Sequence, residues 1–169
     1  MGGGVYSMSP SGSKRWDFSA AGPVHGPIVR KADRLYFSSE DTYVYCLNII
    51  NGRLEWKFQA QAKLLEGPTA TENTVYQFVR GHGLVAVDRK TGKKLWSLPE
   101  GVGILSEYQG RAYVMTELPT LAVLDNSSGE QLYSVNIVDV QMHRANTLDG
   151  KIYIADRSGR VAAVEPVSQ

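Results

Sequence analysis

Apolar and polar residues alternate along this chain in short bursts, and each burst ends on a turn signal. Residues 66–99 show the unit. Thr69–Thr71 is a short strand candidate, Glu72-Asn73 is a turn, and Thr74-Val75-Tyr76-Gln77-Phe78-Val79 is a β-branched and aromatic run. Gly81-His82-Gly83 turns the chain into Leu84-Val85-Ala86-Val87. Asp88-Arg89-Lys90-Thr91-Gly92 then makes a longer hairpin loop with glycine where a positive φ is wanted, and Lys94–Leu98 alternates as a fourth strand. No stretch carries a helical period. The pattern predicts four short antiparallel strands in each unit of about forty residues.

The unit repeats in register. Trp16, Trp56 and Trp96 are 40 residues apart, Tyr133 follows 37 later, and each comes four residues after a glycine (Gly12, Gly52, Gly92, Gly129). A second series is Tyr36, Tyr76, Tyr113 and Tyr153, each followed 11 residues on by Leu47, Val87, Leu124 or Val164. A unit of this length cannot bury its own apolar face and must stack on copies of itself. Four-stranded units that stack radially are propeller blades. The expected fold class is therefore all-β, a β-propeller of about four blades in a single module spanning 1–169. Its expected parts are a partial blade at 5–20, blades at 24–59, 66–99 and 103–137, and an incomplete blade at 143–165. The three missing residues fall in the link before Tyr113, where repeats are free to vary.

The bulk composition narrows the function classes. A net charge of +1 over 169 residues gives no global field, so nucleic acid is not an expected partner. Arg89-Lys90 and Lys93-Lys94 flank a turn and read as a solvated hairpin tip. Cys46 is the single cysteine, which excludes an internal disulfide framework and a cysteine zinc site. No run approaches the roughly 18 apolar residues of a membrane span, so insertion is not expected. Met1-Gly2-Gly3-Gly4 lacks the features of a signal peptide, and any targeting segment is expected outside this chain.

Ala86-Val87-Asp88 through Thr91-Gly92-Lys93 to Trp96 resembles the tryptophan-docking motif of the pyrroloquinoline-quinone (PQQ) type propeller repeats. Cys46-Leu47-Asn48 through Gly52 to Trp56, and Val123-Leu124-Asp125 through Gly129 to Tyr133, are further copies. The acidic or amide residue suits turn N–H groups, and the small residue leaves room for an indole. The resemblance implies structural docking roles for Trp16, Trp56, Trp96, Tyr133, Gly52, Gly92, Gly129, Asp88 and Asp125. It spans several trades: eight-bladed quinoprotein dehydrogenases that bind PQQ with calcium, cofactor-free scaffolds such as the propeller lipoprotein of outer-membrane assembly, and sensor ectodomains. With every tryptophan at a docking position and Cys46 at a small packing position, no PQQ or calcium is expected here. The expected function is a non-catalytic interaction scaffold of the cell envelope, periplasmic by resemblance, with a protein partner. A dehydrogenase fragment and a ligand-sensing ectodomain are the alternatives.

Links between units and the hairpins joining second to third strands lie on one side, which the resemblance marks as functional. Candidate binding residues there are His25, Glu66, Arg80, His82, His143 and Arg144. The three histidines share no register, Gly81-His82-Gly83 lacks the glycines and helix of a phosphate loop, and Glu40-Asp41 has turn composition, so no catalytic or metal constellation is expected. The repeat also opens with third and fourth strands and closes on a third. That predicts a fragment of a larger ring, a homodimer that shares one, or a small ring closed in cis.

Overall fold

The computed structural model describes residues 2–118, 120–137, 140–143 and 145–166, with backbone alone at 141–143. Every element among them is a strand, and the strands form five antiparallel sheets in chain order. Blade 1 holds β1 (Gly3–Met8) and β2 (Lys14–Ala20). Blade 2 holds β3 (Val29–Lys31), β4 (Arg34–Ser38), β5 (Tyr43–Asn48) and β6 (Leu54–Gln59). Blade 3 runs β7 (Thr69–Ala70), β8 (Thr74–Val79), β9 (Gly83–Asp88) and β10 (Lys94–Leu98). Blade 4 runs β11 (Gly101–Tyr108), β12 (Arg111–Thr116), β13 (Thr120–Asp125) and β14 (Gln131–Asn136). Blade 5 holds β15 (Val140–His143), β16 (Ile152–Asp156) and β17 (Val161–Val164). The fold is an all-β propeller arc.

The core lies between sheets. Successive side chains of a strand point to opposite faces, so the middle strands are apolar on both. Tyr36 faces blade 3 with Val75 and Val87, while its neighbour Phe37 faces blade 1 with Val5 and Trp16; both rings are fully buried. Tyr76, Ala86 and Trp96 pack on Ile104, Ala112 and Val114 between blades 3 and 4. Leu105, Tyr113 and Val123 meet Ile152 between blades 4 and 5. This is why no blade stands alone.

The first strands of blades 4 and 5 begin earlier than the spacing argument placed them. β11 begins at Gly101 rather than 103, because the shortened link is absorbed by an eight-residue strand whose pairing with β12 shifts register twice, at Gly101/Gly103 and Ile104/Ser106. β15 begins at Val140 rather than 143 and also carries a register shift. Both are inner strands, where a bulge adds bend without disturbing the packed middle pair.

Candidate functional site

The best-formed side-chain constellation is a clasp repeated at the blade boundaries. Asn48 Oδ1 accepts the backbone N–H of Ile50 at 2.9 Å and of Asn51 at 3.3 Å, which folds the hairpin after β5. Asp88 Oδ1 accepts the N–H groups of Lys90 and Thr91 at 3.1 and 2.7 Å and the Thr91 hydroxyl at 2.6 Å. Asp125 Oδ1 likewise takes the Ser127 and Ser128 N–H groups at 3.0 and 2.9 Å, together with both hydroxyls. These donors favour the carboxylate form: the Thr91 hydroxyl, foremost, lowers Asp88, and the Ser127 hydroxyl, foremost, brings Asp125 down to about 2.

Each turn closes on a left-handed glycine, and the preceding blade's indole lies against it. A Cβ at Gly52 (φ 69°) would stand 2.6 Å from the Trp16 ring, and one at Gly92 (φ 73°) 2.7 Å from Trp56. Gly129 meets Trp96 in the same way. The indole N–H then donates into the turn: Trp16 to the Ile49 carbonyl at 3.0 Å, Trp56 to Arg89 at 3.0 Å, Trp96 to Asn126 at 2.9 Å. The clasp always points forward along the chain.

Two residues depart from the sequence reading. Tyr133, placed with the docking aromatics, docks on no following turn among the described residues and is 45% exposed. Its ring lines an apolar cleft of about 340 Å³ between blades 4 and 5, with Leu121, Val135, Ile137, Ile154 and Val164. Arg89, read as part of a solvated tip, is buried. Its Nε donates to the Glu72 carbonyl at 2.6 Å, and its guanidinium reaches the Tyr36 hydroxyl at 3.5 Å. The neighbouring blade covers it, which local composition does not reveal. Burial raises the Tyr36 hydroxyl to about 12 and the Cys46 thiol, opposite Trp56 in the ladder, to about 12.

On the link face, His25 and Glu66 line one open cleft of about 710 Å³ with Gly26-Pro27, Gly67-Pro68, Lys31 and Thr147. Lys31 Nζ donates to the Thr147 carbonyl at 3.5 Å, joining blades 2 and 5 across it. His25 Nε2 lies 2.6 Å from Glu40 Oε1, and Lys63 Nζ 3.1 Å from Glu40 Oε2; these contacts, His25 first, lower Glu40. Adjacent Asp41 turns inward, accepting the N–H groups of Ala21 and Gly22 and the Tyr45 hydroxyl at 2.7 Å. Burial raises Asp41, and these hydrogen bonds outweigh it. Arg80 sits in a small recess beside Glu66 and Lys63. His82 is elsewhere, between blades 2 and 3 with Phe58, Ala60 and Lys94. Arg144 and the His143 side chain lie outside the described residues.

A partly buried polar network escaped the sequence reading. Thr71, Asn73 and Tyr76 all converge on Glu107, and the Tyr76 hydroxyl also lies 2.8 Å from Asn126 Oδ1. Asn126 Nδ2 donates to Thr74 Oγ1 at 2.9 Å. The network crosses from blade 3 to blade 4 beneath the Trp96 clasp. A second signal was available: Gln77 stands in register with Phe37, Val114 and Ile154, a polar residue in an apolar series. It is fully buried; its Nε2 donates to the Glu66 carbonyl, and its Oε1 has no partner among the described residues.

Residues 2–107 match the family model described as outer membrane protein assembly factor BamB, well over half of the chain. The chain belongs to this PQQ-like propeller family. It is similar to a polyvinylalcohol dehydrogenase of Sphingopyxis sp. (strain 113P3), 27% identical over 153 residues that cover 70% of this chain and 23% of that enzyme. The structure resembles BamB from Moraxella catarrhalis with a TM-score of 0.72 at 14% identity, covering 96% of this chain and 56% of the other. It also resembles the computationally designed Ika8 protein, with a TM-score of 0.68 at 14% identity over 93% of this chain and 50% of that one. The two solved structures speak for the fold alone, and the chain spans only part of each relative.

Proposed function

We propose that this PQQ-like propeller is a non-catalytic scaffold of the cell envelope that binds a protein partner through its link-face loops. The observation that carries the reading is the commitment of the tryptophans. Trp16, Trp56 and Trp96 are each at least nine-tenths buried, and each donates its N–H to the next blade. None presents a free face to stack a quinone, and the link-face carboxylate Glu40 is tied to His25 and Lys63. These commitments support a reading without PQQ and calcium. The family's description as an outer-membrane assembly factor supports the envelope location and the protein partner.

The likeness to a polyvinylalcohol dehydrogenase favours a second reading, in which the chain is part of a quinoprotein enzyme. Titration with PQQ and calcium, followed by dye-linked alcohol oxidation, separates them. Chelator-sensitive oxidation overturns the scaffold, whereas no quinone binding up to millimolar concentration supports it. The open cleft between His25 and Glu66 also suits a small-ligand sensor. A thermal-shift screen against sugars and quinones tests that reading directly.

A further inference from the structure

We propose that the boundary between blades 2 and 3 holds a small aromatic carboxylate in a recess of about 200 Å³ at its outer, link-face end. Both blades are complete four-stranded sheets. The recess shares no residue with the cleft that holds His25 and Glu66. Its apolar wall is Phe58 and Ala60 from blade 2 with Val79 and Val85 from blade 3.

The recess exists because the repeat departs from itself here. At the boundary between blades 1 and 2, three rings in register fill the space: Tyr45 lies edge-on to Phe18 at 5.4 Å and stacks on Phe37 at 5.2 Å. Between blades 3 and 4 the same places hold Leu98, Val114 and Ala122, apolar throughout. Between blades 2 and 3 they hold Phe58, Gln77 and Val85. Two of the three rings are gone, and Phe58 stands half-buried without the tyrosine that covers Phe18. Gln77 faces Val85 across the ladder, fully buried, with its Oε1 unpartnered among the described residues. A buried acceptor left unmatched is a cost, and the filled boundaries on either side do not carry it among the described residues.

The lining sets the chemistry of the occupant. Aromatic rings prefer edge-on or offset contact, so a phenyl ring against Phe58 and Val85 takes the place that Tyr45 fills one boundary earlier. Ligand sites join such an apolar wall to a few polar groups that fix orientation. Here those groups are cationic or donating: Lys94 stands where blade 2 has Leu54, His82 where it has Thr42, and Ser97 adds a hydroxyl. No carboxylate lines the recess, and neither Lys94 nor His82 joins an ion pair among the described residues. The backbone around them is pinned, the Ala60 N–H donating to the Thr42 carbonyl at 2.8 Å and the His82 N–H to the Val79 carbonyl at 2.9 Å. An anionic head finds donors at this rim, and a cationic head finds no counter-charge.

The test is a titration of the nitrogen-15-labelled protein with phenylacetate, followed by amide chemical shifts. The expected result is saturable movement of the Ala60, Gln61, His82 and Ser97 amides, with phenethyl alcohol and phenethylamine acting far more weakly. Val85→Tyr restores the residue of the preceding boundary and should abolish these shifts while the rest of the spectrum stays in place. Lys94→Gln, at an exposed position that leaves the packing intact, should weaken binding about threefold to fivefold. No movement of these amides up to tens of millimolar phenylacetate overturns the proposal. Equal binding of the alcohol or the amine does so too, as does binding that Lys94→Gln leaves unchanged.

Discussion

The indole N–H of Trp56 donates to the backbone carbonyl of Arg89 across the boundary between blades 2 and 3, at 3.0 Å. The same bond recurs from Trp16 and Trp96, so each links two neighbouring sheets by ring packing and one hydrogen bond. Replacing Trp56 with Ala removes both and leaves a cavity against Gly92. The expected loss is about 3–5 kcal/mol in urea unfolding. Trp56→Phe keeps most of the packing and should lose substantially less; equal losses would mean that the ring does not dock.

Gly92 and Gly12 separate backbone strain from contact. Both have positive φ, 73° and 84°, but a Cβ at Gly92 meets Trp56 at 2.7 Å while one at Gly12 meets nothing within 4 Å. Gly12→Ala should cost only the left-handed penalty, about 1–2 kcal/mol. Gly92→Ala should cost clearly more, because backbone turn and indole must separate. Chemical denaturation of the two variants side by side measures the difference.

Acid should loosen the turns. The Asp125 carboxyl titrates at about 2 in the fold, below its ordinary 3.8, because Ser127 and Ser128 donate to the carboxylate. A depressed folded value contributes stability above the unfolded value, and that contribution disappears as pH falls from about 4 through about 2. Asp125→Asn keeps an acceptor but no longer titrates. Its urea midpoint should lie below wild type near pH 6 and converge on it toward pH 2, where a constant gap would contradict the assignment.

Cys46 is fully buried, and desolvation raises its thiol to about 12. Alkylation by iodoacetamide at pH 8 should therefore be slow in the native protein and become fast across the unfolding transition. Rapid labelling without denaturant would show that the boundary between blades 2 and 3 opens readily.

The strands were legible because Tyr36-Phe37, Val75-Tyr76 and Ala112-Tyr113 are apolar on both faces, the signature of a sheet packed between two others. The turn glycines were legible through constant spacing to the aromatic. Arg89 was not, since its burial depends on the Trp56 side of the boundary and on a carbonyl at Glu72. The Glu107 network was hidden for the same reason, its members lying up to 55 residues apart, Thr71 to Asn126. The link-face residues divided: His25 and Glu66 share a cleft, while His82 belongs to a different blade boundary. Spacing located their loops but not how far each loop leans over the axis.

The forward direction of the clasp has a consequence for how such chains grow. The tryptophan that reaches out and the glycine that receives it sit in different copies of the unit, so duplicating one unit supplies both halves of a new joint. A head-to-tail joint carries no count of its own; only the angle between neighbours decides when the series meets its beginning. Length in this architecture is thus free to drift by whole units.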